Sequence, residues 1–294
     1  MQVNRRSFLK TTGLAGSGIL LSGYLPACKS AATTKNINAN FGLQLYSLRD
    51  DMPKDPRGVL TQVAAFGYKQ IESFEGSKGM FWGMSNTDFK KLMDDLGMNI
   101  VASHCDINKD FERKAAEAAA IGMKYLIAPY LGPQKSIDDF KRFADTFNQR
   151  GKVCKQAGLR FAYHNHDYSF KPVGGQLPQD VMMQGTDKDL VDFEMDMYWV
   201  VTAGQNPSEW YKKYPGRFRL CHIKDRQKGV PLADTRNVSV VVGTGSIDFP
   251  SHLKVGAANG LQYFIVEQEA YEGTTPLAAV KDDAAYMKNI KIGA

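Results

Sequence analysis

The chain has 294 residues, 43% hydrophobic and 23% charged, a globular composition with ample material for a core. Its formal net charge is +6, but Arg5, Arg6 and Lys10 stand without an acid in the first 27 residues, which leaves +3 on the remainder. A surplus that small and scattered argues against a nucleic-acid binder, and the length suits one α/β barrel of about 250 residues as well as two small domains.

In chain order, the first segment reads as an export signal. "NRRSFLK" (Asn4 to Lys10) carries paired arginines and is followed by "TTGLAGSGILLSGYL", an uncharged, mostly apolar stretch. That stretch has the length of a signal-peptide core and is shorter than the roughly 20 residues of a membrane span. The pair resembles a twin-arginine signal. "LPAC" (Leu25 to Cys28) resembles a lipobox, although Pro26 is unusual inside one. Residues 1–27 are therefore expected to be removed and Cys28 lipidated, leaving an exported protein, periplasmic or membrane-anchored, that meets the membrane only through that lipid. An uncleaved anchor or a plain cleaved signal is the alternative. Residues 28–40 read as a polar tether, and 41–294 as one catalytic domain.

From Phe41 onward, short apolar runs alternate with amphipathic stretches. The runs are "FGLQLYSL", "YKQIESF", "NIVASHCD", "KYLIAPYL", "LRFAYHNHD", "LVDFEMDMYW", "FRLCHIKD" and "LQYFIVEQE". Helical patterns cover Pro56 to Phe66, Asp88 to Leu96, Phe111 to Ile121, Ile137 to Gln156, Pro207 to Tyr214, Ser251 to Asn259 and Pro276 to Ile290. Gly67, Gly97, Gly122, Gly158 and Gly260 stand shortly before the next run, where a helix C-terminal glycine belongs. Repeated helix–Gly–strand units predict parallel β/α pairs, and eight runs predict a closed (β/α)8 TIM barrel. An open doubly wound sheet is the alternative, weakened by the lack of a glycine-rich loop after the first run. Cys105, Cys154 and Cys221, an odd number, give no disulfide framework and read as buried thiols.

A barrel of this kind carries its chemistry at the C-terminal ends of the strands. Four of the five histidines fall there: His104, His164, His166 and His222. His222, Asp196 and Glu267 come from different runs, and an imidazole with two carboxylates is a usual divalent-metal set. Side chains at i and i+2 of a strand share a face, so His164 and His166 are expected to reach into one space. By the same rule Glu194 lies deeper than Asp196 and needs a buried partner, for which Lys224 is the candidate. In "GTGSID", the N–H groups around Gly243 and Gly245 either cradle an anion or form a tight turn, with Asp248 capping the next helix. Tyr46 and Trp199 are candidates for an apolar wall of a binding site, with Phe81–Trp82 in an exposed lid.

"YHNHDYSF", "FEMDMYW", "CHIKD", "VGTGSIDF" and "VEQE" together resemble the sugar phosphate isomerase/epimerase superfamily, the xylose isomerase-like TIM barrels, in the branch resembling inosose dehydratase. The resemblance runs from Phe41 to the C-terminus. It implies one divalent ion (manganese, cobalt, magnesium or zinc) held by His164, Asp196, His222 and Glu267. It further implies a sugar-like substrate, a sugar or cyclitol, that loses the proton next to its carbonyl. Many epimerases of the superfamily carry Glu where this chain has His164, and there two facing carboxylates trade protons. With an imidazole in that place, a one-sided reaction is expected instead: a lyase or dehydratase acting on a keto-sugar. Glu267 is then a catalytic group, and His166 or Lys224 protonates the departing oxygen. Tyr46, Glu72, His104, Trp199 and Glu269 are assigned to substrate binding. Two competing readings are an apurinic endonuclease, opposed by Trp199 three residues after Asp196 where a histidine ligand is needed, and a non-catalytic sugar-binding lipoprotein.

Overall fold

The computed structural model describes residues 37–234 and 236–292; the export signal, Cys28 and most of the tether lie outside them. Eight parallel strands close into a barrel: β1 (Gly42–Gln44), β2 (Gln70–Phe74), β3 (Asn99–His104), β4 (Tyr125–Ala128), β5 (Arg160–His164), β6 (Val191–Asp196), β7 (Phe218–Ile223) and β10 (Tyr263–Val266), with β10 pairing back to β1. Each lies within one of the eight apolar runs. Between β7 and β10, β8 (Asp225–Arg226) and β9 (Ser239–Val240) form a short antiparallel ladder.

The connecting helices are α1 (Pro56–Phe66), α2 (Asn86–Asp95), α3 (Phe111–Ala120), α4 (Ile137–Ala157), α5 (Pro178–Gly185), α6 (Met197–Thr202), α7 (Pro207–Lys213), α8 (Phe249–Ala258) and α9 (Pro276–Asn289). Their ends follow from local chemistry. At α4, Ser136 and Asp139 form a reciprocal capping box, and Gly158 closes the helix at φ 86°, which a side chain would disfavour. Asp248 caps α8 by accepting from Ser251 N at 3.2 Å.

Two helices depart from the sequence expectation. α5 falls in a stretch with no assigned pattern. α6 begins inside the run "LVDFEMDMYW", because Asp196 ends β6 and accepts from Trp199 N at 3.2 Å, turning strand into helix. Trp199 therefore sits on a helix, not on the sixth strand. The chain also joins the barrel before Phe41. Ile37 is buried, and the Asn38 side chain donates to the carbonyls of Met287 (2.9 Å) and Ile290 (2.7 Å) at the end of α9.

Most of the apolar core lies between strands and helices; the barrel interior holds a smaller plug of Val101, Ala102, Tyr125, Ile127, Ala162, Leu220 and Ile265. Its lower rim is closed by Tyr125 against Tyr263 and by Arg160 paired with Asp192. Above the plug the interior becomes polar. Cys105, Cys154 and Cys221 are free and buried, and burial pushes their thiols up, so none is poised as a thiolate.

The "GTGSID" loop is a turn wrapped around an internal anion. Asp225 accepts from Gly243 N (2.8 Å), Gly245 N (2.9 Å), Ile247 N (3.2 Å) and Arg226 N (2.8 Å), which occupies the N–H groups an external phosphate needs. A Cβ on Gly245 would stand 2.2 Å from Asp225 Oδ1, so only glycine lets the backbone approach. The expected exposed lid is also absent at Trp82. Its side chain is 2% exposed, donates to Ser73 Oγ at 3.1 Å and packs edge-on against Phe74. A large apolar ring folds inward where β2 offers both an aromatic neighbour and an acceptor for its N–H.

Candidate metal centre

The barrel delivers its polar side chains in two layers. The outer layer is built from the last residues of adjacent staves. His164 ends β5, Asp196 ends β6, His222 is opposite Asp196 on β7, and Glu267 directly follows β10. One donor atom of each lies within 4.8 Å of the other three. Asn165 ties the first two staves together, donating to Asp196 O and accepting from Asp196 N, both at 3.2 Å. Nothing in the sequence singled out Asn165 for this, because its partner is the backbone of another strand.

The protonation pattern favours a cation. His164 Nδ1 lies 3.1 Å from the Pro129 carbonyl, which can only accept, so the proton sits on Nδ1 and Nε2 keeps its lone pair. That Nε2 is buried without a hydrogen-bond partner, 3.5 Å from Asp196 Oδ2, which is buried and equally unpartnered. On the far side, His222 Nδ1 lies 3.2 Å from Glu267 Oε2 and 3.9 Å from Asp196 Oδ2. Two imidazoles and two carboxylates with orphaned donor atoms fit a divalent ion.

Lys224, also fully buried, completes the outer layer. It pairs with Glu269, with Glu267 at 3.3 Å and with Asp196 at 3.8 Å, and lies 5.0 Å from the ring centres of both Tyr198 and Trp199. It does not partner Glu194. On β6 and β7, Glu194 is level with Leu220, so Lys224 stands four residues further toward the mouth, about 13 Å along the strand. Glu194 instead meets His104 at 2.9 Å and His222 at 3.3 Å.

Those contacts belong to the inner layer of Glu72, His104, Glu194 and His222. Glu72 Oε1 receives Gln44 Nε2 (2.6 Å), His222 Nε2 (2.8 Å) and His104 Nε2 (3.1 Å). Gln44 and Glu194 were not among the assigned site residues; Gln44 meets Glu72 across the β1–β2 pair, whereas Glu194 reaches His104 across the barrel interior. Glu72 and His104, assigned to substrate, form the floor below the outer donors.

The remaining assigned residues stand at the mouth. His166, two residues beyond the end of β5, stands at the cap position before a 3-10 turn (Asp167–Phe170) and lies with its ring perpendicular to that of His164, centres 5.0 Å apart. It stacks on Trp199 at 5.3 Å and on Tyr168 at 5.7 Å. Both His166 Nδ1 and Trp199 Nε1 are buried without partners. Tyr46 is 39% exposed on the opposite side, edge-on to Phe74 and under the Arg49 guanidinium.

Charge states follow from these neighbours. Burial opposes the Lys224 charge, but Glu269, Glu267 and Asp196 outweigh it and push its pKa up. Burial alone would raise Glu267, yet Lys224 and His222 hold it well below the usual carboxylate range. His166 is depressed well below its ordinary value by burial and by the neighbouring His164 and Lys224, so it is neutral at pH 7. In the inner layer, burial opposes charge on His104, but Glu72 and Glu194 raise it to about 9. Burial and the Glu72 charge raise Glu194 to about 8.

Both inner-layer shifts have the same consequence in the metal-free protein. Stability that His104 contributes is full below about 6.5 and is lost as pH rises through about 9, and ionising Glu194 on the way to about 8 removes more. The melting temperature in chelator is expected to fall steadily from pH 6.5 to 9, which calorimetry checks; a rise across that interval contradicts the assignment.

Comparison with known proteins agrees with this architecture. The sequence profile of the xylose isomerase-like TIM barrel family matches residues 60–290. A crystal structure of a sugar phosphate isomerase/epimerase from Parabacteroides distasonis is similar, with a TM-score of 0.75 and 32% identity, covering 86% of this chain and 99% of that one. The inosose dehydratase of Clostridium botulinum (strain Alaska E43 / Type E3) is 29% identical over 146 residues, 45% of this chain and 48% of its own length. The chain thus spans about half the length of the curated relatives it matches. The IOLI protein, whose crystal structure is described with a binding zinc atom, shares the fold at a TM-score of 0.69 and 15% identity, covering 84% of this chain and 97% of that one. The closed barrel, the outer-layer donors at its strand ends and the match over most of its length place this chain in the xylose isomerase-like TIM barrel family.

Proposed function

We propose that the protein is a divalent-metal-dependent enzyme acting on an oxidised sugar or cyclitol, removing the proton next to the carbonyl and expelling a β-oxygen substituent as a lyase or dehydratase. The observation that carries this reading is His164 opposite Glu267. With Nδ1 committed to Pro129, the imidazole has only Nε2 to offer, and as a ligand it has no nitrogen left to work as a base. Proton transfer is then one-sided.

A divalent ion in the outer layer supplies Lewis acidity toward a carbonyl oxygen. Glu267, held anionic, is the base for the adjacent proton, with its second oxygen free of the His222 and Lys224 contacts made by Oε2. Lys224 holds its proton and offers a fixed positive charge and hydrogen bond to the departing oxygen. His166, neutral, relays a proton from solvent at the mouth to the departing oxygen, which leaves as water or an alcohol, and Glu267 later returns the proton it took to solvent. Trp199 and Tyr46 flank a sugar ring face, and Glu269 keeps Lys224 in place while offering an acceptor to a hydroxyl.

Export with a lipid on Cys28 belongs to the same proposal and rests on the N-terminal sequence. Mass spectrometry of the membrane fraction tests it, and an unmodified N-terminus downstream of Cys28 would sink lipidation. The chemistry is tested by screening metal-loaded protein against inososes and 3-keto-glycosides. Turnover that disappears on chelation and returns with manganese, cobalt, magnesium or zinc is expected. No turnover, or turnover indifferent to chelation, overturns the proposal.

A further inference from the structure

We propose that the inner layer, Glu72, His104, Glu194 and His222, is a second divalent-cation site beneath the one at the strand ends. Its donors form a closed ring in which nitrogen and oxygen alternate. His104 Nε2 lies 2.9 Å from Glu194 Oε2 and 3.1 Å from Glu72 Oε1; His222 Nε2 lies 2.8 Å from Glu72 Oε1 and 3.3 Å from Glu194 Oε2. The four atoms are mutually within 4.8 Å. The two rings stack at 5.5 Å and 22°, and both Nε2 atoms contact the same two carboxylate oxygens.

Protons alone satisfy this ring poorly. Each Nε2 carries at most one hydrogen, so two hydrogens serve four N···O contacts. The second oxygens, Glu72 Oε2 and Glu194 Oε1, are buried without any partner. A cation serves all four. Metal–nitrogen and metal–oxygen bonds of about 2.0–2.1 Å set tetrahedral donors about 3.3 Å apart, and the four contacts lie at or slightly inside that spacing. Two carboxylates neutralise a dication, and this nitrogen–oxygen mixture suits zinc, cobalt or manganese. Gln44, donating to Glu72 Oε1 at 2.6 Å, holds one carboxylate in position. His104, 7% exposed where Glu72, Glu194 and His222 are fully covered, marks the side from which an ion enters.

The two sites share His222, which turns Nδ1 to the outer donors and Nε2 to the inner ones. With both filled, His222 bridges the ions as an imidazolate, its ring proton released to the buffer as the second ion binds. The proposal depends on no substrate assignment, so a failed substrate screen leaves it standing.

Metal counting tests it. Dialysed protein titrated with zinc in a calorimeter, with bound metal confirmed by mass spectrometry, is expected to hold two equivalents. His104→Gln and Glu194→Gln are each expected to hold one, and Asp196→Asn, which cuts only the outer site, also one. Cobalt in Asp196→Asn should give the visible absorption of a tetrahedral ion. A wild-type count of one, or a His104→Gln or Glu194→Gln protein that keeps two, overturns the inner site. The wild-type count stands as a test even where a variant fails to fold.

Discussion

Replacing His222 with alanine is expected to lower turnover by about 10³-fold or more and to empty the outer site. The imidazole offers one nitrogen to Asp196 and Glu267 and the other to Glu72 and Glu194, and it is wholly buried. Burial disfavours its charge, yet Glu194 and Glu267 push its pKa well above the ordinary value, so it neutralises both layers when no ion is present. Its removal leaves carboxylates facing one another out of water. Breaking a buried pair in this way costs roughly 3–5 kcal/mol, on the order of 10 °C in melting temperature for a domain of this size. Metal analysis, initial rates and a thermal melt on one preparation check all three effects. A variant that keeps metal content and turnover removes the centre from the account.

The second large effect lies outside the chemistry. Asp225→Ala is expected to destabilise the fold by about 4–6 kcal/mol, since four backbone N–H groups lose a charged acceptor inside the protein. The loop from Gly243 to Ile247, which leads into α8, would lose its anchor. Asp225→Asn should recover part of the loss, because its amide oxygen still accepts while its NH2 faces other donors. Chemical denaturation measures both variants, and a change below about 1 kcal/mol for the alanine variant contradicts the structural role. A loss of that size is a large share of the roughly 5–15 kcal/mol that typically holds a whole domain, which makes this loop a sensitive point.

Much of this was legible in the sequence because the barrel repeats a local pattern. Each strand is a short apolar run, and most are followed by a helix that ends at glycine, so all eight staves and the bounds of α1 can be read from neighbours alone. The outer residues could be gathered because strand ends share one face of a barrel. What escaped depends on closure. Glu72 and His222 are 150 positions apart, and their contact exists only when β10 pairs with β1. The partner of Glu194 was misjudged for the same reason: Lys224 is near in sequence logic but lies along the strand axis, whereas His104 lies across the barrel. α6 was hidden because "MYWVVT" is aromatic and β-branched, a composition that reads as strand until the Asp196 cap reverses it. Trp82 looked like a lid from its loop position, and no local pattern announces that Ser73 and Phe74 draw it inward.

The substitution of an imidazole for a carboxylate at His164 is the central claim, and the product formed in deuterated water tests it most directly. Metal-loaded protein incubated with an inosose or a 3-keto-glycoside should release the β-oxygen substituent and yield an unsaturated ketone by NMR. Recovery of the substrate's epimer alone, carrying deuterium next to the carbonyl and with no group released, would contradict the account.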